Sequence, residues 1–384
     1  MARSSFHPLA PGVRLMRRLR VPVKLALMGL ALLVPLTVLV VTRFMDSRND
    51  IGVARQELVG ARQVSTLVDL VAALQAHRDA AMRNADTAKA LAAVKEHGAL
   101  LDDPALVTAD IAVAGELRRK LAEMAGGQLP KARAELFAVH SRTIALAEQQ
   151  LQLTAEASGL LLDPEAQSYY LMDLATTRLV PWLEALSAAR GQGAAVLTRG
   201  EATNSERATL LIQAERIDRA VSDMQVRLDS LRRTGMEMPP AWQKAAEASR
   251  GLAAQIRSIF TEHAITAEVG PYFDLATGAL EAGAGLKRLL VDDLVRQLEQ
   301  RVAAKTRGLY VQLAVSALGV ALVVYMALSF YLSFAGAVRA LHRGVGRVAA
   351  GDLSQRIQID GKDELAEIGQ LVEGMNHRLS ALVA

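Results

Sequence analysis

The stretch Leu25–Thr42 reads LALMGLALLVPLTVLVVT and holds no charged residue. As an α-helix rising about 1.5 Å per residue it reaches roughly 27 Å, close to the hydrocarbon thickness of a bilayer. Pro35 would break a helix in water but is tolerated in a membrane helix. A cleaved leader is the competing reading. The long basic lead and the following VVTRFMDSR, which lacks a small-residue cleavage site, argue against it. A second stretch, Gly308–Val338, is uncharged from Arg307 to Arg339 and is long enough to span with tilt. Tyr310, Tyr325 and Tyr331 supply interface anchors. Two transmembrane helices are therefore expected, at 25–42 and 308–334.

Outward from these stretches, basic residues set the orientation. Residues 1–24 carry Arg3, Arg14, Arg17, Arg18, Arg20 and Lys24, and the first acid is Asp46. A basic arm beside an apolar segment is a topology signal rather than a nucleic-acid site, and it places the N-terminus in the cytoplasm. Two spans return the C-terminus to the same side, where Arg339, Arg343 and Arg347 agree. Residues 43–307 are then extracytoplasmic, and 335–384 lie inside.

Composition narrows the classes. The chain is 51% hydrophobic with only 4% aromatic residues, a mixture that favours bundled helices over strands. It has no cysteine, which excludes disulfides, thiol catalysis and cysteine metal sites. The seven histidines are scattered without the spacing of a helical metal site. No nucleophile, base and orienter set appears, and no phosphate-cradling glycine loop. The expectation is no enzyme activity, no cofactor and no metal.

The outer segment is punctuated by Gly98–Pro104, Gly126–Pro130, Asp163-Pro164, Gly191–Gly200, Gly235–Pro240 and Gly270-Pro271. About seven helices are predicted between these breakers. One heptad runs Ala132, Leu136, Val139, Thr143, Leu146, Gln150, Leu153, Ala157, Leu160. Another runs Leu210, Ala214, Ile217, Val221, Met224, Leu228, Leu231. Both read as bundle seams. The segment exceeds one four-helix bundle, so the fold class is all-α, with two stacked bundles whose first and last helices continue into the spans.

Two stretches carry candidate binding residues. In LQAHRDAAMR, Arg78 sits among Ala and Leu, where a buried guanidinium could take a carboxylate or similar anion bidentately, or else pair with a nearby acid. In LLLDPEAQSYYLMDLATTRLVPWLEALSAARGQGA, Asp163-Pro164 predicts a cap with Pro164 at the first helical position. Tyr169, Tyr170 and Asp173 follow as a pocket wall, a dimer contact or plain packing. Arg190, with Gly191 and Gly193, predicts a helix end approaching another backbone. A small, anionic ligand is the expected partner.

After the second span, Val338, Leu341, Val345 and Val348 mark an amphipathic helix ended by Gly351-Asp352-Leu353. A connector with Ile357 and Ile359 follows. Asp363-Glu364 then opens a second helix with the seam Leu365, Ile368, Val372, Met375, Leu379, Leu382. Two such helices cannot bury their stripes alone, which implies a homodimer with a parallel four-helix bundle. Through Gly351, Asp352, Leu353, Asp363, Glu364 and Met375 this region resembles the HAMP domain of bacterial receptors. It departs from that pattern at Ala337, where a proline is usual, and at Val372-Glu373, where Phe-Asn is usual. The Met375-Asn376 ending resembles methyl-accepting chemotaxis proteins, as does the block from Asp163 to Asp173.

The resemblance implies a receptor in the bacterial inner membrane with a periplasmic sensor domain. An outside ligand would shift a membrane helix, the relay residues Gly351, Asp352, Leu353, Ile357, Asp363, Glu364, Met375 and Asn376 would switch packing, and a histidine kinase with its coupling protein would respond. The sequence ends at Ala384 with no output domain read after the relay, so truncation or a partner supplying the output is expected. The sensor half of a histidine kinase or diguanylate cyclase, and a ligand-free membrane scaffold, are the alternatives.

Overall fold

A computed structural model describes residues 10–19, 21–262, 264–352, 354–356, 361 and 363–383. Eleven α-helices occur among them and no strand: α1 (Ala10–Arg18), α2 (Val21–Met82), α3 (Ala88–Gly98), α4 (Ile111–Ala125), α5 (Arg133–Ala157), α6 (Ala166–Met172), α7 (Leu179–Arg199), α8 (Asn204–Arg233), α9 (Ala241–Thr261), α10 (Val269–Ala349) and α11 (Glu364–Val383). The chain divides into two compact units, Asn49–Thr306, and Met1–Arg48 with Arg307–Ala384.

In the first unit, local chemistry sets the helix ends. Asp110 accepts the Ala112 N–H at the start of α4, and Thr203 with Glu206 forms a reciprocal capping box for α8. Gly200 ends α7 at φ +73°, a left-handed conformation that suits glycine. α4 packs with α3 and α5, and α8 packs with α7 and α9. One continuous buried cluster runs through both groups, from Leu67 and Leu74 of α2 to Leu286 and Leu294 of α10.

The two predicted seams fare differently. Every member of the α8 heptad, Leu210 through Leu231, is buried. In α5 the buried stripe is His140, Thr143, Ile144, Ala147, Gln150, Leu151, Thr154 and Ala155. Leu136, Val139, Leu146 and Leu153 are only half-buried. Thr143 and Gln150 of the predicted seam are buried, and the face is rotated about them so that His140 meets His77 of α2, while Gln150 donates to Thr154 within α5 itself.

Two further expectations are corrected. α7 continues through Gly191 and Gly193 rather than ending there, and the glycines make room for side chains. A Cβ at Gly193 would overlap the Tyr272 ring, whose hydroxyl donates to the Ala189 carbonyl at 2.7 Å. At Asp163-Pro164 the restart comes later than expected, with α6 beginning at Ala166. Asp163 instead accepts the Glu165 N–H at 2.9 Å. α6 passes into α7 through a π-helical turn, Asp173–Arg178, and Gln152 donates to the Thr176 carbonyl at 2.9 Å within that turn.

In the second unit, α2 and α10 each contain a segment long and apolar enough to cross a membrane. Gly29, Leu30 and Leu33 of α2 line a cavity with Val324, Leu328 and Tyr331 of α10. Leu30, Val38, Leu318 and Phe330 are exposed, the pattern expected of surface that meets lipid. Pro35 lies inside α2 without ending it.

Candidate functional site

Arg78 projects from α2 into the core of the Asn49–Thr306 unit and is 0% exposed. Its guanidinium does hold a carboxylate bidentately, and that carboxylate is the protein's own. Nη1 donates to Glu184 Oε1 at 2.6 Å and Nη2 to Glu184 Oε2 at 3.0 Å. Ser141 and Ser187 take the remaining η hydrogens at 3.2 and 3.0 Å, and the Phe137 ring lies 4.9 Å from the guanidinium carbon. Nε has no partner. The fork geometry matches a planar anion, and Glu184 occupies it from α7.

A polar cluster surrounds this pair. Nδ1 of His77 lies 2.8 Å from Nε2 of His140, and Nδ1 of His140 lies 2.9 Å from the Leu136 carbonyl. The carbonyl can only accept, so His140 carries its proton on Nδ1, and His77 must donate to the free Nε2. That arrangement needs the His140 ring neutral. Burial, with His140 alongside, pushes His77 down to about 4, and burial likewise lowers His140. Glu148 moves the opposite way. Burial, reinforced by the Glu184 carboxylate, raises it to about 7 against the pull of Arg78. Its Oε1 has no partner.

Arg190 lies one helix turn beyond Ser187 on α7. It pairs with Asp79 of α2, donates to Thr277 at 3.2 Å, and stacks on Phe273 at 5.2 Å. Arg78 and Arg190 are thus brought together through adjacent Asp79, Ser187 and Glu184. A cavity of about 250 Å³ beside them is lined by Gln75, Ser187, Arg190, Thr277 and Lys287 among others.

Tyr169, Tyr170 and Asp173 sit elsewhere. The two rings meet edge to face with centroids 5.5 Å apart and pack against the core. Asp173, in the π turn, pairs with Arg227 at 2.8 Å and Arg178 at 3.4 Å. These residues bind one another's helices, and no pocket described here includes them. The Asp163 end of the same block joins a second ionic cluster that sequence reasoning missed. Arg301 of α10 pairs with Glu57 of α2 at 3.1 Å, Asp163 at 3.0 Å and Glu165 at 2.9 Å. Glu184 and Glu148 were also missed. The available signal was an acid in apolar surroundings, as in LVPWLEALSAAR.

In the relay region α10 extends to Ala349, so the predicted amphipathic helix is its continuation. Gly351 adopts φ +85° and Asp352 accepts from the Ser354 N–H and hydroxyl, which hold its carboxyl below the usual range. Asp363 caps α11 by accepting the Ala366 N–H at 3.0 Å, one residue before Glu364. Met375 is exposed while Asn376 is buried and donates to the Gln355 carbonyl at 3.4 Å. Leu353 and Ile357 lie outside the described residues.

Residues 331–381 match the HAMP domain. With two helices able to cross a membrane, this makes the chain a HAMP-containing transmembrane signal transducer. No curated protein sequence matches it. Its fold is similar to that in "Structure of the NasR transcription antiterminator", with 19% identity, a TM-score of 0.50, and coverage of 88% of this chain and 95% of that one. At that identity the likeness speaks for the helical fold alone.

Proposed function

We propose that the protein is a bacterial chemoreceptor. Its unit Asn49–Thr306 lies in the periplasm, both termini lie in the cytoplasm, and a small ligand with an anionic group binds at the Arg78–Arg190 end of that unit. The reading rests above all on α10, a single helix that begins beside Arg190's partners, carries the second apolar segment and enters the HAMP region. Glu184 is the internal counterpart of the ligand's anion: what it does to Arg78, a carboxylate from outside can do in its place. The chain transmits a packing change and performs no catalysis itself. Chemotaxis-type output, through a histidine kinase and coupling protein, follows from the resemblance at Met375-Asn376.

The active unit in this reading is a homodimer. Ile368, Met375 and Leu379 of α11 are exposed along one heptad stripe, as are Val338 and Val345 of α10. A second chain would cover them. The native chain lacks cysteine, so Ile368→Cys can be tested in membranes without background. Mild oxidation should link two copies, and a sensed organic acid should change the linking rate. If no link forms, the dimer is wrong. If linking ignores every anion and metabolite offered, the scaffold reading replaces the receptor.

A further inference from the structure

We infer that the cavity between the C-terminal end of α2 and the N-terminal end of α10 binds a small zwitterion of amino-acid type. The inference rests on the receptor reading above and moves the recognition from Arg78 itself to the neighbouring Asp79.

The cavity measures about 310 Å³, within the range of small-molecule sites. Asp79, Arg83, Arg133, Gly191, Phe273 and Asp274 line it. Asp79 is 4% exposed and splits its two oxygens. Oδ2 is held by Arg190, while Oδ1 has no hydrogen-bond partner. A buried carboxylate oxygen left unpaired is unfavourable, and it demands a donor. A Cβ at Gly191 would stand 3.3 Å from that oxygen, so glycine keeps its approach open.

The opposite charge lines the same cavity, from Arg83 one turn beyond Asp79 and from Arg133 of α5. Arg83 lies over the Phe273 ring at 4.9 Å and spends only Nε, on the Asp79 carbonyl at 3.2 Å. Arg133 is exposed at the first residue of α5. A simple anion would satisfy these guanidinia but leave Asp79 Oδ1 unpaired beside a like charge. A simple cation would satisfy Asp79 and meet two arginines. A molecule carrying an ammonium for Asp79 and Asp274, and a carboxylate for Arg83 and Arg133, satisfies both sets, and the Phe273 face receives its carbon body.

Position gives the site its consequence. α2 ends at Met82 and α10 starts at Val269, both lining the cavity or next to residues that do. These are the two helices that carry the apolar segments. A ligand between their ends has a direct grip on both, which is the differential contact a two-state relay needs.

The test uses the full chain in lipid nanodiscs, with the proteinogenic amino acids as probes. Thermal unfolding is read at about 10 mM probe, where a bound ligand should raise Tm by roughly 3 °C or more. Acetate and methylammonium, each carrying one of the two charges, should shift it by less than about 1 °C. Two variants are chosen to spare the fold: Ala195→Leu fills the cavity at a half-buried position, and Asp274→Asn removes an exposed charge. Each should weaken binding at least about tenfold by calorimetry while the ligand-free Tm stays near wild type. The proposal is overturned if no amino acid stabilises the protein, or if binding survives both variants. It is also overturned if acetate alone does as well; that result leaves the anion receptor intact, whereas silence from every probe together with unresponsive Ile368→Cys linking removes the receptor too.

Discussion

Two arginine side chains of the Asn49–Thr306 unit, Arg78 at 0% and Arg301 at 8% exposure, sit in opposite kinds of surroundings. Arg301 faces three carboxylates, and the side chains of Glu57 and Asp163 are 6% and 0% exposed. Burial, then the neighbouring Asp163, raises Glu57 despite the cation beside it. Arg301 therefore stands as the counter-charge for a surplus of buried acids. Arg78 faces one bonded carboxylate, Glu184, which remains 23% exposed, and two cavities open next to its neighbours. Burial of an arginine does not by itself tell a binding residue from a structural one. The decisive property is whether its carboxylates can be reached or replaced.

This contrast orders the expected costs. Arg301→Ala strands two buried carboxylates and should destabilise by about 3–5 kcal/mol. It also unties Glu57 of α2 from α10. Denaturant unfolding of the full chain in detergent measures it, and Arg301→Lys should recover only part because one ammonium cannot serve three carboxylates in fork geometry. Arg78→Ala leaves Glu184 free to turn toward water, so its cost should be lower, about 2–3 kcal/mol. Equal or reversed costs would erase the distinction drawn between the two clusters.

How much of this was legible follows the same division. α8 was readable because every seam position is Leu, Ala, Ile, Val or Met, and its heptad coincides with its buried stripe. α5 was misread by one residue. Patterning placed Leu136, Val139 and Leu146 on the seam together with Thr143 and Gln150; the chain buries Thr143 and Gln150 but sets His140, Ile144 and Thr154 beside them in place of the leucines and Val139. His140 is placed by a partner distant in sequence, His77, 63 residues away. Periodicity carries no information about such pairs. Arg78 and Arg190 stood out as cations among small residues, but nothing local announced that Glu184 and Asp79 would meet them. The relay was the most readable part, since Gly351, Asp352 and Asp363 act through turns and caps a few residues long.

The polar cluster around Arg78 also predicts how stability follows pH. Glu148 ionises near 7 in the folded protein instead of near 4.5, so the unfolded state loses its proton first as pH rises. Its stability contribution is complete below about pH 4.5 and is lost as pH climbs toward 7. The full shift corresponds to about 3 kcal/mol, and partial solvation reduces this to about 2. Glu148→Gln should then be more stable than wild type by that amount at pH 8, with the difference gone at pH 4. His77 runs in the other direction. Its folded value lies near 4 against 6.5 unfolded, so stability is lost as pH falls from 6.5 to 4. A Glu148→Gln curve parallel to wild type across pH 4–8 would show that this carboxylate is open to water, and the Arg78 end would then lack the buried character that sets it apart from an ordinary surface pair.

Asp173 gives the smallest effect and the sharpest control. It sits in the π turn, after Tyr169 and Tyr170, whose clustering in the sequence pointed to a pocket wall, a dimer contact or plain packing. Its two partners, Arg178 and Arg227, have side chains 29% and 31% exposed, so water can replace the carboxylate at either one. Part-exposed pairs of this kind contribute about 0.5 kcal/mol. Asp173→Asn keeps the shape and one acceptor oxygen, so it should lower stability by no more than that and leave ligand-induced stabilisation unchanged. A loss of the ligand response in Asp173→Asn would move the binding site to the α6–α7 turn and return Arg78 to a purely structural role. An unchanged response, set beside the larger penalties at Arg78 and Arg301, would show that in this unit the reachable arginine cluster binds, the sealed one holds, and the π turn only joins two helices.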